Sequence, residues 1–208
     1  MNYAASLATI LFTVLLGAMS PGPSLLMVAR VSMSRSRRQG IAAALGMGCG
    51  AVTLSLLAVL GMKTVFTAFP QLYQVLQIVG GALLSYVGIR IWQHARTPIA
   101  VEAAGPEGAA KSGGSFRAAF LVQISNPKTI IFFSSVFASL LPGKMPLGIA
   151  VILPVLIFIV ESSWYSMVAV LLSSSGPRAA YMRAKVWIDR IAGSLIFFLG
   201  INLLVAAF

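Results

Sequence analysis

The chain has 208 residues and a net charge of +11, yet only 9% of its residues are charged and 59% are hydrophobic. Soluble domains carry about 25% charged residues, so an ordinary soluble fold is excluded and an all-α integral membrane protein is expected. The apolar runs are continuous rather than alternating with period two, which excludes a membrane β-barrel.

Residues 1–29, 39–62, 64–89 and 191–208 hold no charged side chain, 118–143 hold only Lys128, and 145–177 hold only Glu161. A helix needs about 20 apolar residues to cross the hydrocarbon core. Six transmembrane helices are predicted, near 3–30, 40–62, 70–92, 116–141, 147–173 and 187–207. A cleavable leader is not expected, because the first basic residue, Arg30, follows the first apolar run instead of preceding it.

Helix 1 carries Ser20-Pro21-Gly22-Pro23. Each proline removes a backbone donor and clashes with the preceding turn. At membrane depth this is tolerated only where protein or trapped water satisfies the backbone. Helix 1 is therefore predicted to be discontinuous, restarting near Pro23 and Ser24. Arg30, Arg35, Arg37 and Arg38 follow it. Helix 2 is rich in small residues (Gly40, Ala42, Ala43, Ala44, Gly46, Gly48, Gly50), which let helices approach closely. Helix 3 contains Gly81-Ala82-Leu83-Leu84-Ser85-Tyr86-Val87-Gly88-Ile89 and ends at Trp92, an interfacial anchor, with His94 just beyond it. Residues 93–115 are the one long hydrophilic stretch and read as a flexible linker.

Helix 4 is interrupted at Ser125-Asn126-Pro127-Lys128, a rough echo of the first break, with Ser125 or Asn126 as the cap. Helix 5 carries Glu161 near its middle. A charge there costs about 3 kcal/mol on insertion scales and marks function by default. Lys128 lies at similar depth, and the two either form a static ion pair or act on a transported ligand. Residues 173–187 leave helix 5 and re-enter the membrane, with Trp187 as a second anchor. Helix 6 then repeats helix 3 as Gly193-Ser194-Leu195-Ile196-Phe197-Phe198-Leu199-Gly200-Ile201. Four of the nine positions are identical and four more are like for like.

The basic residues place these helices across the bilayer. Twelve lie in the loops after helices 1, 3 and 5 or at the helix ends that flank them, against Lys63 and Lys144 in the alternate loops. By the positive-inside bias the first set is cytoplasmic and both termini are extracytoplasmic. The positive charge is thus a topology signal and a contact with membrane lipid, not a nucleic-acid footprint. Residues 1–92 form one three-helix repeat that starts outside, and residues 116–208 form a second that starts inside. Such inverted repeats are a common build of secondary transporters. Two broken helices, one per repeat, could present their free N–H groups and positive dipole ends to an anion near the midplane. Cys49 is the only cysteine and His94 the only histidine, so no intrachain disulfide forms and soft metal-ligand clusters are lacking. No catalytic set and no cofactor is expected.

Ser20-Pro21-Gly22-Pro23, the basic loop Arg35, Arg37, Arg38, Gln39 and Gly40, then Ser125-Asn126-Pro127-Lys128 and Gly193-Ser194-Leu195 together resemble the LysE/RhtB amino-acid exporter family, in order over nearly the whole chain. The resemblance implies a protein of the cytoplasmic (inner) membrane with six hydrophobic segments, and proton-driven efflux of amino acids or their derivatives. Helix 5 in that family often carries an acidic residue, commonly Asp; Glu161 sits at the matching place with one extra methylene. The expected function is therefore a proton antiporter that exports small amino acids by alternating access. Ser20, Pro21, Gly22, Pro23, Ser24, Ser125, Asn126, Pro127 and Lys128 bind the substrate, and Glu161 couples to protons or to the substrate ammonium. A neutral substrate is favoured because a paired Glu161 leaves no spare acid in the core. The alternative is a metal-ion or other cation exporter on a related scaffold. The small-residue faces would serve a homodimer or a monomer equally well.

Overall fold

The computed structural model describes residues 3–20, 22–68, 70–97, 112–140 and 146–205. Pro21 and residues 98–111 of the expected linker lie outside these. Among the described residues the chain forms eight helices: α1 (Tyr3–Met19), α2 (Pro23–Ser34), α3 (Arg37–Ala68), α4 (Pro70–Gln93), α5 (Ser112–Ser125), α6 (Pro127–Leu140), α7 (Leu147–Leu172) and α8 (Ser175–Val205). The first predicted span is divided into α1 and α2, bent by 58°. The fourth is divided into α5 and α6. Both second halves begin with proline, whose fixed φ and missing N–H suit the first helical position.

Helix α3 over Arg37–Gly61 and α7 are each long and apolar enough to cross a membrane, and the bent α1–α2 pair adds a third candidate. Large apolar side chains stand exposed on the outer faces of these helices, among them Leu57, Leu60, Val151, Val155 and Ile159. In water such faces would be a liability; against lipid they are the matching solvent. Helix α8 starts at Ser175, well before residue 187. The stretch expected to connect helices 5 and 6 is itself largely helical, with Pro177 in the first turn of α8, where proline is tolerated.

The repeated nonapeptides meet each other. Helices α4 and α8 run antiparallel, and a Cβ on Gly81 would stand 2.9 Å from the Gly200 carbonyl oxygen. A Cβ on Gly193 would stand 2.8 Å from the Gly88 carbonyl oxygen. In repeat terms these are one contact made twice, since Gly81 corresponds to Gly193 and Gly88 to Gly200. Backbone lies on backbone, which only glycine permits here. The small residues of α3 have the same use. Gly46 abuts the Phe116 carbonyl of α5, and a Cβ on Gly50 would reach the Gln123 side chain at 2.6 Å, while Gly48 faces Ser162 of α7.

Two apolar clusters fill the interior. One gathers Ile10, Val14, Leu84, Phe133, Phe137, Leu153, Ile157 and Ile196. The other gathers Ala18, Leu25, Val28, Ala43, Ala44, Met47, Tyr165 and Val168. The polar residues of both helix breaks lie where the two clusters adjoin.

Candidate functional site

At that junction is a cavity of about 20 Å³, room for about one water. Ser20, Gly22 and Ser24 come from the first break, Asn126 and Lys128 from the second, and Glu161 from α7. Gln123, Thr129, Phe132 and Tyr165 complete most of the wall.

The two breaks touch reciprocally. Gly22 is the residue before α2 and Asn126 the residue before α6. A Cβ on Gly22 would lie 3.3 Å from the Lys128 side chain. Across the same gap, Asn126 Nδ2 donates to Ser24 Oγ at 3.1 Å. Each terminal residue therefore meets the second residue of the opposite helix. These contacts bring the two breaks together.

Asn126 caps α6, as its Oδ1 accepts the Lys128 backbone N–H at 3.0 Å. Gly22 supplies no side-chain cap to α2. Because Pro23 has no N–H and the Leu26 amide already bonds the Gly22 carbonyl at 2.9 Å, the Ser24 and Leu25 amides are first-turn donors without intrahelical partners. In α6 the equivalent donor beyond the cap is Thr129. The helix N-termini thus direct amides and positive dipole ends toward one small space.

A directed hydrogen-bond chain crosses it. Asn126 donates to Ser24, Ser24 Oγ donates to Gln123 Oε1 at 2.5 Å, and Gln123 Nε2 donates to Glu161 Oε2 at 3.2 Å. Four elements (α6, α2, α5 and α7) are joined by it, and it ends on a carboxylate only 3% exposed. Lys128 Nζ donates to Ser20 Oγ at 2.6 Å and to the Ser20 carbonyl at 3.3 Å. That puts a cation at the C-terminal end of α1, the favourable end of its dipole. Trp164 Nε1 donates to the Ala18 carbonyl at 3.1 Å and so ties α7 to the same end of α1. Gly17 leaves room for Phe132, whose ring would be 2.5 Å from a Cβ there.

Of the residues singled out in the sequence, Ser20, Gly22, Ser24, Asn126, Lys128 and Glu161 line the cavity. Pro23 and Ser125 are exposed and do not, Pro127 opens α6, and Pro21 is outside the described residues. Gln123 and Tyr165 were not anticipated, although Gln123 is a lone amide in an apolar run and Tyr165 lies one turn beyond Glu161. Nor does Glu161 stand as the one buried acid. Asp189 is fully buried, and its Oδ2 accepts from Lys185 Nζ at 2.6 Å. Lys185 also donates to the Ala95 carbonyl at 2.9 Å, fastening α8 to the turn after α4. Trp92 and Trp187 are exposed, and the Arg190 guanidinium lies 5.0 Å from the Trp92 ring centre.

Residues 15–207 match the family described as LysE type translocator. The threonine efflux protein of Escherichia coli K12 is 31% identical to the chain over 95% of it and 97% of the relative. That of Salmonella typhi is 30% identical over the same shares. An uncharacterized membrane protein of Haemophilus influenzae is 26% identical over 89% of this chain and 90% of its own. No solved structure matches.

Proposed function

Because the chain belongs to the LysE-type translocator family, we propose that it exports a small neutral amino acid, of the threonine class, across the inner membrane. The observation that carries this reading is the meeting of two helix N-termini, one cation and one carboxylate around one cavity. A zwitterion needs this pairing. Its carboxylate is received by the Ser24, Leu25 and Thr129 amides and the Lys128 ammonium, and its ammonium by Glu161. The relatives' name supports an amino-acid cargo.

Transport uses six spans arranged as two inverted three-helix repeats, 1–92 and 116–208, joined by the cytoplasmic linker 93–115, with both termini outside. The reciprocal glycine contacts of α4 and α8, and the reciprocal contacts of the two breaks, support the pseudo-twofold relation. Alternating access follows from rocking the repeats about the site. The cavity is too small for any amino acid, so it corresponds to a closed stage of that cycle. Glu161 exchanges a proton for substrate, and the Gln123 bond keeps its carboxylate aimed at the cavity in both states. No observation favours the cation exporter weighed as the alternative.

The test uses everted membrane vesicles with an imposed proton gradient and labelled amino acids. Gradient-driven uptake of threonine or a near analogue is expected, and Glu161→Gln is expected to abolish it while leaving the inserted protein folded, since glutamine can still bond Gln123. Full substrate-linked proton movement in that variant would refute the coupling role.

A further inference from the structure

Outside the central cavity, a groove of about 380 Å³ opens between α4 and α6. Its α4 wall is a single helical stripe, Leu83, Val87, Arg90 and His94, at the three- and four-residue spacing that puts side chains on one face. Tyr86 and Ile131 also line the groove, as does Lys128. The stripe is graded. Its first two turns are apolar, and its last turn carries two nitrogen-bearing side chains, both exposed. The His94 Nδ1 lies 2.8 Å from the Arg90 carbonyl oxygen, which fixes the ring beside the Arg90 turn.

This grading fits one kind of occupant. An aliphatic chain suits Leu83, Tyr86, Val87 and Ile131, and an anionic head suits Arg90 and His94 at the end of the helix. A zwitterionic amino acid has no use for the long apolar section, whereas basic pockets between membrane helices on the cytoplasmic side are suited to anionic headgroups. We infer that the α4–α6 groove is a binding site for an anionic phospholipid of the cytoplasmic leaflet, with its phosphate on Arg90 and His94 and one acyl chain along Leu83, Val87 and Ile131. The inference rests on the orientation proposed above, which puts the end of α4 at the cytoplasmic face. Lys128 belongs to both the groove and the central cavity. A chain lying over its stem therefore closes the cavity laterally against the bilayer.

The test is native mass spectrometry of the purified full chain with phosphatidylglycerol or phosphatidylcholine at equal concentration. Phosphatidylglycerol is expected to bind about fivefold more tightly or better. The preference is expected to vanish in Arg90→Gln/His94→Gln, to survive in Arg90→Lys, and to be unchanged in Arg117→Gln, which removes an exposed basic residue on α5. A wild-type protein without the preference overturns the site. So does a double variant of unchanged melting temperature that keeps it, or an equal loss in Arg117→Gln, which would indicate diffuse charge alone. The readout needs no transport. If the vesicles take up no amino acid while the lipid preference holds, only the transport reading falls.

Discussion

Gly88→Ala is the sharpest test of the α4–α8 interface. The added Cβ would lie 2.5 Å from the Phe197 amide nitrogen and 2.6 Å from the Gly193 carbonyl oxygen, where ordinary contact begins at 3.4 Å. Both obstacles are backbone, so no side chain can swing aside, and the helices must separate by roughly 1 Å along much of their contact. Overpacking of this kind costs about 1–3 kcal/mol, and a clash with rigid backbone belongs at the upper end. Alanine returns about 1 kcal/mol through its better helix propensity. The net loss is about 2 kcal/mol, which lowers the melting temperature of a chain this size by about 4–8 °C. The assay is thermal unfolding in mild detergent, followed by fluorescence-detected gel filtration. Gly61→Ala is the control, since its Cβ would meet nothing within 4 Å. It is expected to leave stability unchanged or to raise it by up to about 1 kcal/mol. Gly193→Ala should act like Gly88→Ala, and the double variant should cost less than the two added together, because one separation relieves both clashes. A Gly88→Ala protein that melts at or above wild type would refute the backbone-to-backbone packing.

Asp189→Ala leaves the Lys185 ammonium buried with its anion gone, a loss of about 3–5 kcal/mol; the same melts should show Lys185→Met/Asp189→Leu recovering most of it, and a single variant melting like wild type would count against the pair. Gln123→Leu removes the donor to Glu161 and the acceptor for Ser24. Initial uptake rates in vesicles should fall roughly tenfold or more, as for lost hydrogen bonds to charged groups, at unchanged expression. Trp164→Phe deletes the bond to the Ala18 carbonyl and should cost about 1 kcal/mol, read as a drop of about 2–4 °C in melting temperature.

The features legible in the sequence were those that chemistry fixes locally. Pro23 and Pro127 suit the first position of a helix because the N–H that proline lacks would have no partner there, and Asn126 caps α6 because its Oδ1 reaches the backbone N–H two residues on. The repeated nonapeptides could be read as related, though not that they would pack on one another. What stayed hidden depends on which way a helix faces. Gln123 is one amide in an apolar helix, and nothing in its neighbours says that it points at Glu161 rather than at lipid. Phe132 reaches the site only because Gly17, on another helix, has no side chain. Asp189 was not singled out in the sequence. Its partner Lys185, one turn earlier, was the available signal that the two could be buried together.

A cavity with room for about one water also sets how strongly the site can hold its cargo. Any ligand must spend part of its binding energy on prising the walls apart. If the open form is populated about one part in a hundred, the apparent dissociation constant rises about a hundredfold above the intrinsic one. On the transport reading proposed above, a site built this way stays empty while its cargo is scarce and fills only when cytoplasmic levels run high. On that reading it is an overflow valve, with its threshold set by the side chains that line the closed cavity.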